Sequence, residues 1–166
     1  TILSLNGGQT ITNSNITITV DEADLMDNGI LINAALVNSR VVVKVKNCIR
    51  TSVTRFPVAA PLIQIAGSTD ATSQIVIEGD FYTSTFEVVD IQANMNVLLK
   101  GSFETASTTK GAIKLSATAA NVKLQGLLKT GHTESITAAG AYSISVLPGS
   151  AANKAVGASV TQVGGT

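Results

Sequence analysis

A nine-residue sequence pattern occurs three times along this chain, each time with alternating apolar residues around a glycine. The first copy spans residues 74–82. The glycines are Gly79, Gly101 and Gly126, which lie 22 and 25 residues apart. A repeat of roughly 20 to 50 residues with one alternating strand per copy is typical of a solenoid, in which each coil buries its inner face only by stacking on its neighbours.

A second series of short strands precedes the glycine line in each copy. Its central residues are polar, Gln64, Asp90 and Lys114, and each is flanked on both sides by Val, Ile or Leu. Because the two series advance together, we predict that every coil contributes at least two strands. Residues at matching positions then stack in columns, in which successive residues lie about 4.8 Å apart. The predicted inward columns are Ile77, Leu99 and Leu124, and Phe81, Phe103 and Leu128.

The first third of the chain follows the repeat more loosely. Residues 16–20 alternate cleanly, the apolar segments 29–32 and 41–47 follow, and Asn47 falls where the later copies carry glycine. Asn and Gly both tolerate positive φ, so we expect a sharp corner at these positions. The acidic segment 21–28 predicts one short helical turn that caps the stack, and we expect almost no other helix.

The interior of this protein must be aliphatic, because aromatic residues make up only 4% of the chain while hydrophobic residues make up 45%. With the repeated pattern Val-x-Leu-x-Gly-x-Phe at residues 97–103, the chain resembles the right-handed parallel β-helix family, which includes pectate lyases and bacteriophage tailspikes. The resemblance is good over residues 60–130 and weak over 10–60. It implies an all-β, single-stranded, right-handed parallel β-helix of about five coils with extended termini. A β-sandwich is the alternative.

Composition divides the chain into two parts. Residues 1–147 are predicted to form the β-helix domain with its N-terminal cap. After Pro148 the chain is small-residue and nearly uncharged. We therefore predict that residues 148–166 form an extended C-terminal arm, which could add a strand to a neighbouring subunit.

Charge and composition argue against several classes of partner. Eleven basic and eleven acidic residues cancel, so the sequence predicts neither a nucleic-acid nor a membrane partner. Cys48 is the single cysteine and His132 the single histidine, so we expect no zinc site and no cofactor. The N-terminal residues lack a basic segment followed by an apolar run, which predicts no secretory signal.

Polysaccharide-cleaving members of the family that this chain resembles use either paired carboxylates or a basic residue near bound Ca²⁺. The candidates are Glu78 with Asp80, and Glu87 with Asp90. A retaining glycosidase holds its two carboxyl groups about 5–5.5 Å apart and an inverting one about 6.5–9.5 Å apart. The columns, however, read Glu78 over Lys100 over Gln125, and Tyr82 over Glu104 over Lys129, as expected for cross-strand ion pairs on a solvated face. We therefore interpret the carboxylates as surface residues and predict no catalytic site.

Two further constellations are weaker. The acidic run at 21, 22, 24 and 27 lacks the spacing of a calcium-binding EF-hand loop and is interpreted as part of the cap. His132 could act as a base for Ser135 with the help of an Asp or Glu, but nothing in the local sequence supports a triad. Tyr82 is the best candidate for an exposed aromatic that contacts a glycan.

The resemblance to phage β-helix proteins implies a non-enzymatic structural role on the surface of a virion. We expect a homo-oligomer, most simply a trimer, which docks on a phage capsid or tail protein as a capsid decoration (cement), tail-spike or fibre protein. Host-surface polysaccharide is a possible further partner. The alternatives are a polysaccharide depolymerase or lyase module and a glycan-binding adhesin.

Overall fold

The computed structural model describes residues 3–5, 7–22, 29–46, 60–92, 95–116 and 121–164. These residues contain strands and turns and no helix. The predicted cap segment, Asn47 and Cys48 fall largely or wholly outside them. The strands, in chain order, are β1 (Leu3–Leu5), β2 (Thr10–Thr12), β3 (Asn15–Val20), β4 (Ile30–Ile32), β5 (Ala35–Val37), β6 (Arg40–Val45), β7 (Ile63–Ile65), β8 (Ser68–Thr69), β9 (Gln74–Thr83), β10 (Val89–Ile91), β11 (Asn96–Thr105), β12 (Ile113–Leu115), β13 (Asn121–Thr130), β14 (Glu134–Ala138), β15 (Tyr142–Val146), β16 (Ala151–Ala152), β17 (Ala155–Val156) and β18 (Val160–Val163).

The strands stack into parallel sheets that form a β-solenoid of about five turns. Sheet A has the order β1-β4-β7-β10-β12-β14-β17. Sheet C has the order β18-β15-β13-β11-β9-β6-β3, with β16 also pairing with β13. Sheet B is smaller, with the order β2-β5-β8. The predicted parallel stack is confirmed. The alternative β-sandwich is wrong, because every strand pair in the described residues is parallel; the handedness stays a prediction.

The three copies of the glycine line are β9, β11 and β13, each ten residues long. Their register aligns Gly79 with Gly101 and Gly101 with Gly126, as predicted. It also aligns the two predicted inward columns, whose phenylalanine rings stack with centroids 5.4 Å apart. Those columns are Ile77, Leu99 and Leu124, and Phe81, Phe103 and Leu128.

The glycines lie within these strands and not at corners between strands, which corrects the sequence-based expectation. Gly101 has a φ of 112°. A Cβ added there would lie 2.0 Å from the carbonyl oxygen of Gly79, and one added at Gly126 would lie 1.8 Å from that of Gly101. Only glycine lets successive coils approach this closely. The register pairs Val45 with Gly79, so the predicted alignment of Asn47 with that glycine is wrong by two positions.

The core is aliphatic and continuous from turn to turn. One column of sheet C runs from Ile16 through Val41, Ile75, Val97 and Val122. The last four are at most 1% exposed, whereas Ile16 in the first turn is only partly buried. In this column, the residues with a coil on each side are fully covered and the residue of the first turn is not.

The corner between sheets B and C is held by stacked polar side chains in the first three turns. The backbone N–H of Ser14 donates to Ser39 Oγ at 3.0 Å, and the N–H of Ser39 donates to Ser73 Oγ at 2.9 Å. Asn13 and Asn38, with φ of 51° and 47°, turn the chain there, and their side chains are joined at 2.7 Å. These bonds satisfy backbone groups that the turn removes from the sheets.

The segment after Pro148 continues the stack in the described residues. β16, β17 and β18 pair in parallel with β13, β14 and β15. Leu147 to Gly149 interrupt the last long strand, and Ser150 Oγ accepts a hydrogen bond from the N–H of Gly126 at 3.0 Å. Residues 151–163 thus add strands to the last two turns of the described stack, in the segment for which the sequence predicted an extended arm.

Candidate functional site

The first candidate carboxylate pair is engaged by neighbouring coils. Glu78 lies between Lys44 and Lys100, with Oε2 3.6 Å and 3.5 Å from the two ammonium nitrogens. Asp80 Oδ1 accepts a hydrogen bond from the backbone N–H of Ser102 at 3.1 Å. The Glu78–Lys100–Gln125 column is confirmed by the register. These contacts link each carboxylate to a neighbouring coil as a cross-strand partner.

The second candidate pair is buried, which corrects its interpretation as a surface cluster. Glu87 and Asp90 are each 3% exposed. Lys110 lies 3.6 Å from Glu87 and Lys114 lies 3.6 Å from Asp90. Asp90 also accepts hydrogen bonds from Gln92 and Ser116. Because a buried charge needs such compensation, both acids are explained as part of the inter-coil packing. The sequence did indicate this pairing, because a lysine follows each of the two acids about one coil later.

Tyr82 is half-buried and pairs in register with Glu104, which forms an ion pair with Lys129 at 3.1 Å. Its predicted column is therefore confirmed, while its role as a glycan contact stays a prediction.

His132 and Ser135 bind backbone atoms. His132 Nδ1 lies 3.0 Å from the carbonyl oxygen of Thr108. The Ser135 hydroxyl is fully buried and donates to the carbonyl oxygen of Lys154 at 2.9 Å. This arrangement does not resemble a nucleophile held by its base.

Of the acidic run near the first turn, Asp21 pairs with Lys46 at 2.8 Å, and the members at 24 and 27 lie outside the described residues. In the part of the chain that the structure describes, no group of three or more His, Cys, Asp or Glu side chains could hold a metal ion.

A groove that the sequence did not reveal lies along one side of sheet C. We call it the strand-start groove, because it follows the residues at which the strands of sheet C begin. It has a volume of about 340 Å³. One wall is the corner Ala71–Ser73, and Arg40 and Lys123 also line it. Its floor carries the stacked amides Gln74, Asn96 and Asn121.

The groove results from a change in corner length. In the third turn, β7 ends at Ile65 and β9 begins only at Gln74, so the corner is long enough to include β8. In the next turn, β10 ends at Ile91 and β11 begins at Asn96. The longer corner therefore stands beside shorter ones and forms the wall.

Asp70 fixes that wall. Its carboxylate accepts hydrogen bonds from the backbone N–H groups of Asn38 at 2.9 Å and Ser73 at 2.8 Å, and from Thr72. Hydrogen bonding by Ser73, then by the N–H of Asn38, lowers the pKa of Asp70 to about 2. On the other side, the Asn96 amide donates to the carbonyl oxygens of Asp70 and Ser73. The corner is thus tied to the coils before and after it.

Two further hollows adjoin this groove and share Arg40 with it. One lies over the asparagine corner and is lined by Asn13, Asn38 and Thr72 among others. The other lies on the outer face of sheet C, where Lys44 and Lys100 flank it. Arg40 therefore stands at the junction of three concave surfaces, all on one side of the solenoid.

The residues of this groove left a faint signal in the sequence. A polar residue stands immediately before the alternating apolar run in each coil, as in Arg40, Gln74, Asn96 and Asn121. The sequence does not show the difference in corner length that makes this column of polar residues the floor of a groove.

Comparison of the chain with protein-family models, curated proteins and solved structures finds no significant match. The class of the protein, a parallel β-solenoid, therefore follows from its strand pairing alone. Within the described residues, no helix has the length and apolar character needed to cross a bilayer.

Proposed function

We propose that this chain is a non-enzymatic structural component of a phage particle, an oligomeric capsid decoration (cement), tail-spike or fibre protein on the virion surface. Its mechanism is geometric: a rigid stack of coils presents one face outward and docks through its open end. The proposal joins the fold to the resemblance that the repeat carries to phage tailspikes.

The observation that carries the proposal is the open N-terminal end of the core. Leu3, Ile11 and Ile16 in the first turn are only partly buried, whereas Ile30, Leu36 and Val41, which pair with them in the second turn, are at most 1% exposed. Among the residues that the structure describes, β1, β2 and β3 each end a sheet and pair on one side only. Partly exposed aliphatic residues beside free strand edges are the features that native proteins cover.

A protein subunit is the cover that we propose, because it would both bury this apolar end and pair with the free edges. The resemblance to phage β-helix proteins favours a homotrimer as the assembled unit. The non-enzymatic part of the proposal is supported by the engagement of Glu78, Glu87 and Asp90 with lysines.

The oligomeric part is tested by light scattering after size exclusion, for the wild type, Ile16→Glu and Thr17→Glu. Both substitutions add the same charge to β3, but Ile16 faces the core and Thr17 faces outward. We expect a trimer of 17.0 kDa chains for the wild type and for Thr17→Glu, and smaller species for Ile16→Glu. Circular dichroism checks that each variant keeps its β structure. A monomeric wild type at high micromolar concentration would contradict the proposal.

The phage part is tested by immunogold electron microscopy of particles whose genome encodes this chain. Label on the capsid surface distinguishes a decoration protein, and label on the tail distinguishes a spike or fibre. Particles that stay unlabelled while the free protein is detected would overturn the assignment to the virion.

A further inference from the structure

The cations of this protein fall into two groups. Most of those that the structure describes form ion pairs with carboxylates; they are Lys44, Lys46, Lys100, Lys110, Lys114 and Lys129. Among the described residues, Arg40, Lys123 and Lys154 form none. Two of these three line the strand-start groove. This places two cations without an ion pair at one surface, beside a wall whose Asp70 carboxylate is already bound by the N–H groups of Asn38 and Ser73.

The polar groups of the groove also divide by role. The Asn96 amide is used internally, since it donates to the corner and accepts from Asn121 Nδ2 at 3.0 Å. In contrast, the amide of Gln74 and the side-chain oxygen of Asn121 have no hydrogen-bond partner among the residues described. An amide both donates and accepts, as a sugar hydroxyl does. The groove thus combines a fixed frame with free groups that face its interior space.

The dimensions match an extended ligand. Arg40 lies on β6 and Lys123 on β13, and β9 and β11 lie between them in sheet C. Three strand spacings separate the two cations, which is about 14 Å along the solenoid. The free amide groups of Gln74 and Asn121 lie between or beside them. A single small anion would reach one cation only, whereas a chain of linked units would reach both.

We propose that the strand-start groove binds an acidic polysaccharide, with carboxylate groups of the glycan paired to Arg40 and Lys123 and its hydroxyls bonded to Gln74 and Asn121. Arginine suits this role because its planar guanidinium binds a carboxylate through two parallel hydrogen bonds. The rigid Asp70 corner reduces the ordering cost of binding. This site is separate from Tyr82 and from the open end of the stack, so it goes beyond the structural role proposed above.

A nucleic acid fits the groove less well than a glycan. Single-stranded nucleic acids bind through aromatic side chains on which bases stack. No aromatic residue is among those that line the groove in the described structure.

The experiment measures the binding of alginate oligosaccharides, which are chains of uronic acids, by isothermal titration calorimetry at low salt without added metal ions. Dextran serves as the uncharged chain, and a single-stranded oligodeoxynucleotide of equal charge serves as the other polyanion. The proteins are the wild type, Arg40→Gln, Lys123→Gln and the matched control Lys154→Gln. All three variants lose one positive charge from an unpaired side chain, but Lys154 lies outside the groove.

We expect Arg40→Gln and Lys123→Gln each to weaken alginate binding by about tenfold. Lys154→Gln should change it by less than about twofold, and dextran should not bind. Thermal unfolding verifies that each variant is as stable as the wild type, which is expected because all three side chains are exposed. Equal losses in all three variants, no binding of alginate by the wild type, or tighter binding of the oligonucleotide would each overturn the proposal. The wild-type oligomeric state is unaffected by these outcomes, so the structural role is judged separately.

Discussion

The early and late turns of the solenoid share one core but differ in their corners. The first three turns carry sheet B and the stacked serines and asparagines of its corner. The later turns pass from sheet A to sheet C through shorter connections, as between Ile91 and Asn96. Sheet A and sheet C nevertheless continue through both regions with parallel pairing. The inner strands therefore define the stack, while the corners are free to vary.

This contrast teaches that turn-to-turn register, and not corner sequence, holds the solenoid together. The strongest register is in the late turns, where β9, β11 and β13 pair over nearly their whole length. In the early turns the paired strands are shorter, and polar side chains of the sheet B corner, such as Ser39 and Ser73, bond backbone groups of the previous coil; in the late turns Ser150 and Asn153 form similar bonds beside the long strands. The two regions should therefore respond differently to substitution.

The largest expected effect is on the glycine column of the late turns. In Gly101→Ala the new Cβ would lie 2.0 Å from the carbonyl oxygen of Gly79, in a backbone conformation with φ of 112° that suits only glycine. We expect a loss of about 4 kcal/mol or more in the free energy of unfolding. Urea unfolding followed by circular dichroism measures it.

The matched control for this substitution is Gly140→Ala. A Cβ there would have its nearest neighbour at 3.7 Å, in the ring of Tyr142. The change in stability should stay within about 0.5 kcal/mol of zero. If both alanines cost the same, close approach of the coils is not what selects glycine in this column.

The next effect compares the two regions within a single column of the core. Ile75 is completely buried between coils, whereas Ile16 is partly exposed in the first turn. We expect Ile75→Ala to cost about 2–5 kcal/mol, since it removes buried methyl groups and leaves a cavity. Ile16→Ala should cost less than half as much, because its side chain has a neighbouring coil on one side only.

Urea unfolding under monomeric conditions checks this difference. At concentrations where the protein assembles, a larger cost for Ile16→Ala would indicate that the open end is covered in the oligomer. Equal costs in the monomer would contradict the inference that stacking on both sides determines the contribution of a core residue.

The same contrast explains how much of the fold the sequence could predict. In the late turns Ile75, Val97 and Val122 follow each other after 22 and 25 residues, so the repeat was visible. Between the early and late turns, Val41 pairs with Ile75, a step of 34 residues. Because this step is longer than the others, the sequence alone does not show the repeat there. Alternation predicts which residues face inward, but the length of a connection has no periodic signal.

The candidate groove was hidden for a related reason. Arg40 and Lys123 are far apart in the chain and are brought to one surface by the register of four strands. Their lack of carboxylate partners depends on which acids the corners place nearby. Neither property is local in the sequence. A pair of nearby acids such as Glu78 and Asp80 can be recognised from the sequence, whereas two distant cations without partners cannot. The burial of Glu87 and Asp90 was missed in the same way, since it depends on how the loop before β10 packs.

An intermediate effect is expected at the corner of the early turns. Ser39 Oγ accepts from the N–H of Ser14 and lies within hydrogen-bonding distance of the carbonyl oxygens of Ile11 and Val37. Ser39→Ala would leave the Ser14 N–H without this partner, so we expect a loss of about 1–2 kcal/mol in the free energy of unfolding.

Hydrogen exchange monitored by mass spectrometry adds a local readout for this variant, because peptides of the first turn should exchange faster while those of β11 do not. Ser143→Ala on the exposed face of β15 is the control, and it should change neither quantity. Faster exchange throughout the protein, in place of the first turn alone, would show that the early corner is not a separate stabilising unit.

The smallest effect concerns the pH dependence contributed by Asp70, at the boundary between the two regions. Its folded pKa of about 2 lies below its ordinary value of 3.8, so the folded state favours the ionised carboxylate. The resulting stabilisation is complete above pH 3.8 and is lost as the pH falls through 3.8 toward 2. We expect Asp70→Asn to lower the melting temperature slightly at pH 6, and the difference from the wild type to shrink at pH 2.5. Because other carboxylates titrate in both proteins, the difference between the two melting curves isolates Asp70. A difference that stays constant over this range would show that the carboxylate charge does not hold the corner that forms the groove wall.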